Sequence, residues 1–115
     1  MRRDDRIRLQ HMLDAAREAL RFVEGRSQAD LEQDRMLGFA VLKAIEIIGE
    51  AAGKVSAEGR ALLPDLPWPD MVGIRHRLVH AYFAIDYERV WLTVRDDLKP
   101  LADLLERYLA GPQPS

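Results

Sequence analysis

At 115 residues, with 48% hydrophobic and 31% charged side chains, the chain has the size and composition of one folded domain and no room for a second. Its formal net charge of −2 creates no global basic field, so an RNA or phosphate ligand has to be met by a local patch. The absence of cysteine excludes disulfides, zinc–thiolate sites and thiol nucleophiles, and suits a reducing cytoplasm.

The opening MRRDDRIRLQ is charged and runs straight into a helical period, unlike a signal peptide. Leu9, Leu13, Ala16, Leu20 and Val23 step by fours and threes, which predicts a first helix stopping at Gly25. Ser27-x-x-Asp30 is a capping pattern that opens a second helix, continued by Leu37, Val41, Ala44, Ile48 and Ala51. Met36, Ala40 and Ile47 add a second apolar stripe, so this helix is expected at the centre, touching two neighbours. Its small-residue end, GEAAGK, would let another backbone approach closely. The run LGFAVLKAIEIIGEAAG is interrupted by Lys43, Glu46 and Glu50, too short and too charged to span a bilayer.

The segment SAEGRALLPDLPWPD carries three prolines and reads as a turn-rich crossover, with Pro69 starting a helix that runs to about His80. AYFAID breaks that helix, and Asp86 is placed to cap the next one. Tyr87, Trp91, Val94, Leu98, Leu101, Leu105 and Tyr108 then predict a last long helix, kinked but not ended by Pro100. No stretch alternates with a period of two. The expected fold is all-α: an antiparallel, up-and-down four-helix bundle over 1–110, with a short extra helix or turn in the crossover and a disordered tail at 111–115.

Chemistry concentrates in GIRHRLVHAY, Gly73 to Tyr82. Cutting RNA without a metal requires a base for the 2′-hydroxyl proton, an acid for the leaving 5′-oxygen, and a cation for the phosphoryl oxygens. Histidine serves as acid or base near neutrality, and the planar fork of arginine holds phosphate. Arg75, His76, Arg77 and His80 contain all these parts. On an ideal helix Arg75 and His80 point about 140° apart. They meet on one ligand only if His80 lies at a helix end or a second chain completes the site. His76 and His80, four apart, share a helical face, as do Arg75 and Tyr82.

Arg75-x4-His80-x-Tyr82 matches the R-x4-H-x-Y signature of HepT-like toxins, a branch of the HEPN superfamily. The flanks AIEIIGEAAGKVS and LPDLPWPDMVGIRHRLVHAYFAIDYERVWLTVRDDLKPL resemble that family over nearly the whole chain. The resemblance implies a helical homodimer, the toxin of a type VII-like toxin–antitoxin pair in the cytoplasm. It implies a metal-independent endoribonuclease acting through Arg75 and His80, with no cofactor. It also implies a minimal nucleotidyltransferase antitoxin of the MntA type, which adds AMP to Tyr82. Relatives often carry asparagine where this chain has His76, which makes His76 a second acid–base group. Arg77 is assigned to RNA binding at most.

Plainer readings stand beside these. The i, i+4 pair His76/His80 has metal-site spacing, but no third ligand lies at a defined spacing, so no metal is expected. Trp68 and Trp91 read as packing residues. Asp14/Glu18 and Glu46/Glu50 read as solvated helix faces, with Glu50, in the Gly-Glu-Ala pattern, the one to watch. A non-catalytic helical dimer that binds a nucleotidyltransferase or a nucleotide is the alternative function. Neither membrane nor DNA is an expected partner.

Overall fold

Helix α1 (Arg3–Phe22) carries Asp4 and Asp5 in its first turn, where carboxylates favour the positive end of the helix dipole. After it, Gly25 turns the chain at φ 69°, a left-handed conformation that glycine adopts without strain. The computed structural model describes residues 1–80 and 84–111; the expected tail beyond Gly111 lies outside the described residues.

Ser27 and Asp30 form the expected capping box on α2 (Gln28–Gln33). The second helix is not continuous, however. Asp34 is extended, ends α2, and caps α3 (Arg35–Gly53) by accepting the Leu37 N–H at 3.1 Å. A side chain that competes this well for backbone donors restarts the helix.

Helix α3 is central: it packs on α1, α2, α5 (Trp68–Val72), α6 (Ile74–Leu78) and α7 (Tyr87–Leu92), while α1 also packs on α8 (Leu98–Ala110). Leu9, Met12, Leu31, Val41, Ala52, Val90 and Leu105 are completely buried in the shared core. The second apolar stripe of α3 is only partly covered within the chain: Ala40 is half-buried, but Met36 is 83% exposed and Ile47 36%, with Phe39 beside them at 46%.

At the α3–α4 corner, buried Asp5 accepts the Ser56 N–H at 2.9 Å and the Ser56 hydroxyl. Ser56 in turn caps α4 (Ala57–Ala61) by accepting the Gly59 N–H. Burial pushes the Asp5 carboxyl up, but the Ser56 hydrogen bonds and the Arg2 and Arg8 charges outweigh it and hold it below the ordinary carboxylate range. Arg60 donates to the Ala52 and Val55 carbonyls, satisfying the end of α3.

The expected helix from Pro69 to His80 is divided. Helix α5 (Trp68–Val72) begins one residue earlier than expected, breaks at Gly73, and is followed by α6 (Ile74–Leu78). Val79 is then extended, and β1 (Val79–His80) pairs antiparallel with β2 (Ala84–Ile85) in a two-residue ladder. The Asp86 N–H closes it on the Leu78 carbonyl at 2.8 Å. This local pairing was not legible as an alternating pattern, and it leaves the fold all-α.

Asp86 caps α7 (Tyr87–Leu92) by accepting the Arg89 N–H, as expected. A π-helical turn (Thr93–Asp97) leads into α8 (Leu98–Ala110). Pro100 is the third residue of α8, and its ring would meet the carbonyl four residues back in a regular α-helix. The wider π turn relieves that clash, so the helix passes through the proline as predicted. No helix among the described residues is long and apolar enough to cross a membrane.

Close approach fixes the motif segment. A Cβ on Gly49 would lie 2.8 Å from the Met71 carbonyl oxygen and 3.0 Å from Ile74 Cγ2, whereas one on Gly53 would meet only Val72 at 3.9 Å. Gly49→Val should therefore cost about 1–3 kcal/mol and reduce amide protection in α5 and α6 by hydrogen exchange. Gly53→Ala should cost nothing, and equal stability of the two variants would contradict the contact.

Removing Asp5 strands the Ser56 donors, so Asp5→Ala should cost about 2 kcal/mol at neutral pH. Because the native carboxyl titrates below its unfolded value, the carboxylate's contribution is complete at neutral pH and fades as pH falls through the native value. Urea titrations of both proteins should show a gap that narrows on acidification; a pH-independent gap would mean that packing alone is lost.

Candidate active site

Each residue of a helix turns the chain by about 100°. In α6 the apolar Ile74 and Leu78, four apart, face inward, and Leu78 is 1% exposed. That anchoring sends Arg75 to one side of α6, Arg77 to the other, and His76 outward between them.

On the first side, Arg75 Nε donates to Glu46 Oε1 of α3 at 3.2 Å. The two acids Glu46 and Glu50 and the two bases Arg75 and His76 border a solvent-open depression of about 290 Å³. Its floor is Gly49, Gly53, Val72 and Ile74, the same close approach of α5 and α6 to α3. Glycine at 49 is what lets the motif backbone come this near.

His80 is elsewhere. It is exposed on β1 and is not among the residues bordering the depression. The helix ends before it, so neither the splayed helical geometry with Arg75 nor the shared helical face with His76 applies. The structure thus joins Arg75 with His76 and sets His80 on the adjoining strand. Tyr82 lies outside the described residues.

On the second side, Arg77 donates to the Asp70 backbone carbonyl and stands 3.7 Å from the Asp70 carboxylate. It borders a larger groove of about 830 Å³ between α5–α6 and α7–α8, floored by residues such as Ile48, Met71, Leu98 and Leu101. Asp65, Asp70, Asp86, Glu88, Asp96 and Asp97 rim this groove. Burial, then the neighbouring Asp96 and Asp70 charges, push the Asp97 carboxyl up, against an opposing pull from Arg77. Its carboxylate rim makes the larger groove a poor seat for a polyanion, which leaves the smaller depression as the candidate site.

Glu46 is the residue that sequence reasoning passed over. Spacing alone reads Glu46 and Glu50 as a solvated face, yet Glu46 is the carboxylate that meets the motif, while Glu50 is exposed at the edge. Its contact spans 29 positions, and the available signal was its place one turn before the small residues that admit another backbone. Trp68 is a packing residue, buried with its Nε1–H on the Leu63 carbonyl at 3.0 Å, and Trp91 packs partly buried on the core. Among the described residues, no group of three or more His, Asp or Glu side chains is arranged to hold a metal ion.

The chain is similar to known proteins over most of its length. The profile described as ribonuclease HepT-like matches residues 12–108. A protein of Methanocaldococcus jannaschii named as a candidate RNase is 33% identical over 105 residues, covering 91% of this chain and 96% of its own. One from Thermococcus cleftensis, named as a candidate ribonuclease HepT, is 39% identical over 74 residues, 64% of this chain and 67% of its own. A candidate RNase of Caldanaerobacter subterraneus is 31% identical over 101 residues, covering 88% and 90%. No solved structure matches the chain at a significant level. With a family profile spanning most of its length, the chain belongs to the HepT-like ribonuclease family.

Proposed function

We propose that this protein is the toxin of a toxin–antitoxin pair, an endoribonuclease that cuts RNA without a metal. The observation that carries the reading is the juxtaposition of Arg75 and His76 over one open depression, with His80 on the next strand. Arg75 steadies charge on the phosphoryl oxygens. One imidazole takes the 2′-hydroxyl proton as O2′ attacks phosphorus, and the P–O5′ bond breaks as a second proton reaches O5′. His80 is assigned to one transfer and His76 to the other. The products are a 2′,3′-cyclic phosphate and a free 5′-hydroxyl.

The exposed apolar residues Met36, Phe39 and Ile47 on α3, with Val72 beside the depression, support a homodimer. A twofold axis would let His80 of one protomer complete the depression of the other. The alternative, a non-catalytic dimer binding a nucleotidyltransferase or nucleotide, keeps that surface and drops the chemistry.

Arg75→Ala and His80→Ala should each lower cleavage by a hundredfold or more at unchanged thermal stability, on the order expected for a lost acid–base or charge-stabilising group. A chelator should leave the wild-type rate intact. Mixing the two inactive variants should restore part of the activity if the site is shared across a dimer, and no restoration would place it within one chain. Undiminished cutting by His80→Ala would refute its role and pass both proton transfers to His76, whereas a wild type that leaves RNA intact would favour the non-catalytic alternative.

For control, AMP on Tyr82, two residues beyond His80, would put a bulky anion beside the site and offer Arg75 a competing phosphate. Co-expression with the cognate nucleotidyltransferase should add one AMP mass to the wild type, mapped by peptide masses to Tyr82. Tyr82→Phe should stay unmodified and toxic. Modification at Tyr87 or Tyr108 would show another mode of silencing.

A further inference from the structure

We propose that Glu46 is a positioning residue, which aims the Arg75 guanidinium at the scissile phosphate; this rests on the assignment of Arg75 to the phosphoryl oxygens. The hydrogen bond engages Arg75 Nε, so it fixes the plane of the guanidinium and leaves the Nη1–Nη2 edge for a bidentate contact with phosphate. The exposure of the partners is unequal: 19% for the Glu46 side chain and 65% for Arg75. The acid is set into the surface and the base is presented from it.

The two backbones are also held. Glu46 stands on α3 beside the buried Ile45 and Ile48, and the close contact of Gly49 with Met71 and Ile74 lies one turn further on. A long arginine on a five-residue helix would otherwise sample many rotamers, and ordering it on substrate would oppose catalysis. An exposed ion pair contributes little to folding, so stability is a poor reason for this contact. Its charge also works against RNA: the Glu46 carboxylate, with Glu50 beside it, weakens ground-state attraction of a polyanion to the depression. Glu46 therefore acts through geometry alone.

That conflict of signs gives a distinctive kinetic signature. With a short single-stranded RNA, Glu46→Ala should lower kcat at least tenfold while KM stays level or falls, since a repulsive charge is gone. Glu46→Gln, which keeps an acceptor for Nε, should recover most of kcat. In an Arg75→Lys background, which lacks the planar fork, Glu46→Ala should cost far less than in the wild type. By 15N NMR the Arg75 Nε–H should exchange slowly in wild type and Glu46→Gln and rapidly in Glu46→Ala. If Glu46→Ala does not fold, Glu46→Met, which keeps the stem, takes its place.

An unchanged or raised kcat, a rise in KM alone, or an undiminished cost in the Arg75→Lys background would each overturn the proposal. Full activity of Arg75→Ala would instead overturn the assignment of Arg75 itself. An inactive Arg75→Ala beside a fully active Glu46→Ala would overturn only the positioning role.

Discussion

The main chain of Met71 comes so near α3 that any side chain at position 49 would collide with its carbonyl oxygen. Glycine at that one place sets the separation between α3 and the α5–α6 segment, and with it the depth of the depression. It also sets the reach from Glu46 to Arg75, because both backbones are positioned by the same contact. A larger residue would push α5 and α6 outward, taking Arg75 and His76 with them. The catalytic reading therefore depends on an atom that is absent.

From that contact follows a division of charge. Ile74 and Leu78 commit one face of α6 to the core, so its two arginines must leave on opposite sides. Arg75 reaches a small open depression, where Glu46 and Glu50 are the facing acids. Arg77 is held by Asp70 above a groove whose rim is dominated by carboxylates. A phosphate chain approaching α6 meets repulsion on one side and Arg75 and His76 on the other. The larger groove is thus the less suited to a phosphate, and the proposed site falls at the smaller depression despite its own two acids.

Much of this was legible in the sequence, for identifiable reasons. The long helices were readable because heptad-like spacing of Leu9 to Val23 and of Tyr87 to Tyr108 reports directly on a buried face. Ser27 and Asp86 were readable because capping chemistry is local. The break at Asp34 was not, since the helical period continues across it and the competing Asp34–Leu37 hydrogen bond leaves no trace in hydropathy. The early end of α6 was also hidden: two residues of strand are too few to alternate, and they are held by a partner six residues away at most. Within the site, the identities of Arg75 and His76 followed from residue chemistry, whereas Glu46 depended on a tertiary contact. The location of Tyr82 lies outside the described residues, so its role still rests on sequence alone.

The hairpin after α6 has a consequence for how such a chain tolerates change. Leu78 is anchored in the core, its carbonyl takes the Asp86 N–H, and Asp86 at once begins α7 and the burial of Val90. One residue is thus both the last stitch of the hairpin and the first of the helix. The paired residues Val79–His80 and Ala84–Ile85 are held between these two posts, so the end of α6 and the start of α7 keep one fixed relation. A substitution at Asp86 would therefore loosen the strand pair and the start of α7 together, and so reach both the segment carrying His80 and the packing of the C-terminal third.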